Sequence, residues 1–248
     1  MQRRQRFTSV WAREVARRRE VRGNPSGLSR EQIVREAVAL LDAEGADALS
    51  MRRLAARLGS GATSLYWYVA NKDELLELAA DEVLAEVARL VTHPDTDGAH
   101  WRELGSRYAY GLRDVILRHP WLGRQVGVRP LIGPNALAVN ARLCEAFAKA
   151  GFRGRDVDYA VGAITAFALG TALPEAAWRN GLARLGIPEE EWEKQVRADM
   201  ELSAERYPEL LRLSDEWMGC ENPTVARRVA FDFGLVSLLD GLEARLRP

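Results

Sequence analysis

The sequence predicts an all-α protein, a compact N-terminal unit of three helices ahead of a larger helical bundle. Three observations carry this expectation. Apolar residues recur at helical spacing along most of the chain. The segments so marked open on capping residues and close on glycine or proline. No stretch alternates apolar and polar residues for long enough to make a strand, and no internal repeat is found.

The elements follow in order. Ser29 and Gln32 form a capping box, and Ile33, Ala37, Val38, Leu40 and Leu41 continue it as an apolar stripe that ends at Glu44-Gly45. Ser50 is the N-cap of a short second helix, Met51 to Leu58, closed by Gly59. A third short helix is expected from Thr63 to Val69. Asn71 and Glu74 then cap a long fourth helix with Leu76, Ala79, Ala80, Val83, Leu84, Val87 and Val91 on its apolar face. The polar, turn-rich stretch from Thr92 to Gly98 separates this helix from the rest. Beyond it, helices are expected over Trp101–Leu117, Pro134–Ala150, Val157 to about Trp178, Glu189–Arg206 and Pro223–Leu246.

Over 248 residues the formal charges cancel, but their distribution does not. Residues 1 to 72 hold 14 Lys and Arg against 7 Asp and Glu, and the remainder is correspondingly acidic. A basic head on an acidic body suits a chain whose one end meets a polyanion. Residues 1 to 22 alone hold eight Arg. This arm, residues 1–27, is read either as a basic extension touching DNA or as a leader solvated by its own charge. Cys144 and Cys220 lack metal-ligand spacing and suggest no disulfide framework. No signal-peptide pattern follows the arginines, and no run reaches the ~18 apolar residues of a membrane span. A cytoplasmic protein without membrane association is the expectation.

Residues 28–74 have the parts of a helix-turn-helix: a brace, then two short helices joined by a tight glycine-containing turn. Leu54, Ala55, Leu58 and Leu65 supply the inner contacts, and Ala55 is small enough to let the pair close. Thr63, Ser64, Tyr66, Trp67 and Tyr68 can reach phosphates, base edges and thymine methyls. Because Tyr66-Trp67-Tyr68 are consecutive, one helix face cannot bury all three. The residues Ser50-Met51-Arg52-Arg53-Leu54-Ala55-Ala56-Arg57-Leu58-Gly59, Leu65-Tyr66-Trp67-Tyr68-Val69 and Asn71-Lys72-Asp73-Glu74-Leu75-Leu76 closely resemble the TetR family of repressors, over Leu28 to about Leu78. The resemblance implies double-stranded operator DNA as partner. It places Arg52 as a base reader, Ala62, Thr63, Ser64, Tyr66, Trp67 and Tyr68 on the recognition helix, and Lys72 on a phosphate.

Residues 75–248 are expected to form the regulatory and dimerisation domain. Val157–Trp178 offers Ala160, Gly162, Ala163 and Gly170 for close helix approach. Val225, Val229, Phe233 and Val236 form one stripe of the last helix, and Phe231, Leu235, Leu238, Leu242 and Leu246 another. A helix apolar on two sides needs a partner for each, so a homodimer through these two helices is expected. His119-Pro120-Trp121, Gly133-Pro134-Asn135 and Ala150-Gly151-Phe152 resemble the tetracycline-repressor-like subclass, which implies a pocket for a small-molecule inducer of unknown identity. Trp101, Tyr108, Leu112, Trp121, Gln125, Phe147, Phe167 and Trp178 are its candidate lining. The position where that subclass places its magnesium-holding histidine falls on Gln125 and that of a second pocket histidine on Ala166, so no metal and no cofactor are expected. Neither a Gly-rich phosphate loop nor a nucleophile elbow nor paired His ligands point to an enzyme.

Overall fold

The computed structural model describes residues 10–11, 28–126, 131–202, 206, 208–209 and 223–246. Apart from Val10 and Trp11, the basic arm therefore lies outside the described residues, as does Cys220. Among the described residues there are helices and turns but no β-strand. Nine α-helices are described: α1 Arg30–Glu44, α2 Met51–Arg57, α3 Ala62–Leu65, α4 Lys72–Thr92, α5 Trp101–Arg118, α6 Pro134–Ala150, α7 Arg155–Leu185, α8 Glu189–Glu201 and α9 Pro223–Ala244.

The caps behave as the sequence predicts. Ser29 accepts from Gln32 N while the Gln32 side chain accepts from Ser29 N, closing the capping box of α1. Gly45, at φ 79°, ends that helix in a conformation that side chains disfavour. Ser50 accepts from Arg53 N at the start of α2, and Asn71 from Glu74 N at 2.8 Å at the start of α4.

Two elements differ from expectation. The third helix is one turn, Ala62–Leu65, and the chain continues as a turn through Tyr66–Tyr68. Within that turn the Tyr68 hydroxyl donates to the Leu28 carbonyl at 2.5 Å, which ties it to the start of the head. Helix α7 runs well past Trp178, to Leu185, carrying Pro174 within it. It also overturns the expectation about apolar runs: by length and composition it is apolar enough to cross a membrane, with a mean hydropathy of 1.4 over its most apolar window. Its row Ala160, Ile164, Ala168, Ala172 and Ala176 is instead the side that packs into the bundle.

A single apolar core runs from Ile33 in the head to Leu242 in α9. Helix α4 joins the halves, packing on α1 at one end and on α5 and α6 along its length. Every residue from Glu74 to Asp81 is buried, so this stretch has no solvent side.

Buried polar groups fix the neighbours of α4. The Asp81 carboxylate accepts from the backbone N–H of Asn135 (3.2 Å) and Ala136 (3.0 Å) and from Asn135 Nδ2 (3.0 Å). A carboxylate on α4 thus satisfies the first free amides of α6 and meets the positive end of its dipole. In the bundle, Glu175 on α7 pairs with Arg113 on α5 (2.6 Å) and Arg227 on α9 (3.3 Å), all with little exposure.

Candidate nucleic-acid interface and ligand cavity

The head presents one polar and aromatic face. Leu54, Ala55 and Leu65 are buried, holding α2 against α3. Thr63 is exposed, Ala62 and Ser64 are half-buried, and Tyr66 and Trp67 are 51% and 76% exposed. The three arginines of α2 divide by role. Arg53 pairs with Glu44 and Arg57 with Glu36, both on α1, so these two brace the head. Arg52 is exposed and has no such pairing, leaving its planar fork available to a guanine edge or phosphates. Tyr68 differs from its neighbours, since it is half-buried with its hydroxyl committed to Leu28. Lys72 is also half-buried, and its ammonium donates to the Ala46 carbonyl at 2.9 Å, which leaves two further donors.

The joint between head and body is polar. The His119 ring, 5% exposed, contacts Asp42 of α1 through Nδ1 (2.7 Å) and Glu86 of α4 through Nε2 (3.4 Å). Trp121 Nε1 donates to the same Asp42 oxygen at 2.7 Å. Burial alone would push the imidazole down. The hydrogen bond and charge of Asp42, followed by those of Glu86, outweigh it and hold His119 protonated above its ordinary value of 6.5. A folded value above the unfolded one stabilises fully below that unfolded value and is lost as pH rises through the folded one. The thermal-stability advantage of the parent over His119→Gln should therefore shrink as pH rises above about 6.5. A difference that stays constant across that range would remove the charge from this account.

A cavity of about 550 Å³ opens among α4, α5, α6 and α7. Leu84 and Val87 of α4, Tyr108 and Leu112 of α5, Val139 and Leu143 of α6, and Val161 of α7 contribute to its wall. Its polar groups are Tyr108, Thr165, Asn140 and Asp158; the Tyr108 and Thr165 hydroxyls bond at 2.9 Å. Burial pushes the Tyr108 phenol up, so it stays a neutral donor.

Of the eight lining candidates, Tyr108 and Leu112 are in this wall; the other six are elsewhere. Trp101 and Phe147 stack edge-on with ring centroids 5.1 Å apart, and Phe152 completes that cluster. Phe167 packs on Phe231 of α9, and Trp178 on Trp192 of α8 beneath the Arg227 guanidinium. Trp121 is used at the joint, and Gln125 closes the 3₁₀ turn Pro120–Arg124. Ala166, the position compared with the second pocket histidine, does line the cavity, and no group of His, Cys, Asp or Glu suited to a metal occurs among the described residues. The aliphatic lining and the polar pair Asn140 and Asp158 escape sequence reading. Asn140 and Asp158 are the signal that was there to find, each a polar residue beside an apolar stripe.

A helix-turn-helix head with a polar and aromatic face outward, coupled by one helix to a body with a cavity, fits a transcriptional regulator. The comparisons agree. The family model described as "Bacterial regulatory proteins, tetR family" matches residues 33–79, and "Tetracyclin repressor-like, C-terminal domain" matches residues 93–246. An "HTH-type transcriptional regulator" of Saccharopolyspora erythraea is 44% identical over 62% of this chain and 63% of its own length. The "HTH-type transcriptional repressor DrrR1" of Streptomyces coeruleorubidus is 34% identical over 91% of this chain and 81% of its own length. The crystal structure of the Streptomyces coelicolor TetR family protein ActR in complex with actinorhodin superposes with a TM-score of 0.71 at 30% identity, over 90% of this chain and all of that one. The chain belongs to the TetR family of transcriptional regulators.

Proposed function

We propose that the protein is a cytoplasmic repressor that binds a palindromic operator as a homodimer and leaves it when a small organic molecule enters the cavity. The head is residues 28–74 and the regulatory and dimerisation body residues 75–248. The observation that carries this reading is the sharing of α4, which begins under the reading face at Lys72 and whose Leu84 and Val87 form a cavity wall. A ligand that repositions this wall moves the head, and two heads must sit about 34–36 Å apart to enter successive major grooves. A preference of a few kcal/mol for the misspaced state is enough for release. The actinorhodin complex of ActR supports a ligand role for the body.

The dimer reading rests on α7 and α9. Val225, Val229, Phe233 and Val236 are each at least half exposed, whereas Phe231, Leu235, Leu239 and Leu242 of the same helix face their own bundle. Only 28% of the most apolar window of α7 is buried within one chain, and Tyr159 and Gly170 of this helix are exposed. Apolar surface on two neighbouring helices fits a second copy related by a two-fold axis.

Among the DNA contacts, Arg52, Thr63, Ser64, Tyr66 and Trp67 read or touch the groove, Ala62 meets thymine methyls, Tyr68 shapes the turn and Lys72 meets a phosphate. Selection of bound genomic fragments supplies the operator on which this is tested. Arg52→Ala should cost about 1–3 kcal/mol and relax specificity at one base pair. Lys72→Ala should weaken binding to all sequences alike, flatten the salt dependence, and slightly lower stability because the bond to Ala46 goes too. Unchanged operator binding by both variants would overturn the contact assignment.

A further inference from the structure

The cavity has a chemical polarity of its own. Its deep wall is aliphatic: Leu84, Val87, Leu112, Leu122, Val139 and Leu143. Among its polar groups the Tyr108–Thr165 pair is half-buried, while Asn140 on α6 and Asp158 on α7 are exposed. Asp158 is the one charged side chain in the lining among the described residues, and no lysine, arginine or histidine there opposes it. No hydrogen bond or ion pair engages its carboxylate. A lone carboxylate bordering an apolar chamber repels anions and attracts a positive group whose remaining bulk is apolar. The volume suits a molecule of drug size.

We propose that the ligand class is an amphipathic organic cation, an apolar ring system seated against α4 and α6 with its protonated amine at Asp158. This rests on the ligand-sensing reading above and deepens it. Asn140 then offers an amide oxygen beside the carboxylate, and the Tyr108–Thr165 pair can bond to a carbonyl or hydroxyl further in. Asp158 also lies in the first turn of α7, where a carboxylate favours the helix start, so its effect on ligand must be separated from that role. Asp156 gives the control, being in the same turn but outside the cavity lining.

The test uses three naphthalene fluorophores with the full-length protein, without DNA: dansylcadaverine, which carries a protonated amine; its neutral N-acetyl form; and anionic anilinonaphthalene sulfonate. The cationic probe should bind most tightly. Asp158→Asn should weaken it about tenfold while leaving the acetylated probe unchanged. Asp158→Glu should restore the preference, and Asp156→Asn should not disturb it. If all three bind and compete but Asp158→Asn changes nothing, or the anion binds best, the cation reading is wrong while ligand sensing stands. If none binds to protein that still holds its operator, ligand sensing in this cavity falls as well.

Discussion

Phe233→Glu should yield a monomer in sedimentation or light scattering and lower operator affinity at least a hundredfold. Phe233 is 76% exposed on a single chain, at the centre of the row Val225, Val229, Phe233 and Val236. Burying such a ring against a second copy removes most of its apolar surface from water, worth about 1.5–3 kcal/mol on each side of a two-fold axis. A glutamate there would have to be desolvated beside its symmetry mate, or the interface must open. If the operator is the palindrome proposed above, a single head holds only half of it, and the loss of the second is felt as lost effective concentration. The fold of each chain should survive, because Phe233 points away from its own core, and helical content is the check. A dimer that persists with unchanged operator affinity would refute this use of α9.

Gly133→Ala should be strongly destabilising for so small a substitution. A Cβ built at Gly133 lies 2.2 Å from the Asp81 carboxyl carbon and one of its oxygens, far inside contact distance. Asp81 cannot retreat without releasing the Asn135 and Ala136 amides it holds, and it is only 4% exposed. Overpacking and unsatisfied buried groups together should cost about 3 kcal/mol, against the 5–15 kcal/mol that holds a typical domain together. For a chain of this size the melting temperature should fall by roughly 6–12 °C. Gly241→Ala, with nothing within 4 Å of the added carbon, is the control and should melt at or slightly above the parent. Equal melting of the two variants would dismiss the close approach of α6 to α4.

Much of the head was legible because its signals are local. Ser29, Ser50 and Asn71 cap helices by bonds spanning three residues, and the Gly45 turn follows from conformational freedom alone. The turn through Tyr66–Tyr68 was not legible, because the Tyr68 hydroxyl is tied to Leu28, forty residues away in sequence. In the body the aromatic rings are ambiguous in sequence. A ring on an amphipathic face looks the same in sequence whether it lines a cavity or meets another ring. Trp101, Phe147, Phe167 and Trp178 proved to meet other rings. The cavity itself is walled by leucines and valines that no pattern separates from core. Likewise the partnership of Asp81 with the start of α6, and of His119 and Trp121 with Asp42, joins residues brought together by folding alone.

The enclosure of α4 from Glu74 to Asp81 limits what kind of movement the molecule can make. A rod gripped on every side cannot spin about its own axis without tearing apolar contacts from both halves at once. It can slide or tip as one piece, carrying whatever is fastened to either end. The boundary between head and body is therefore a shared beam rather than a swivel, and any graft of this head onto another regulator has to bring the whole beam with it.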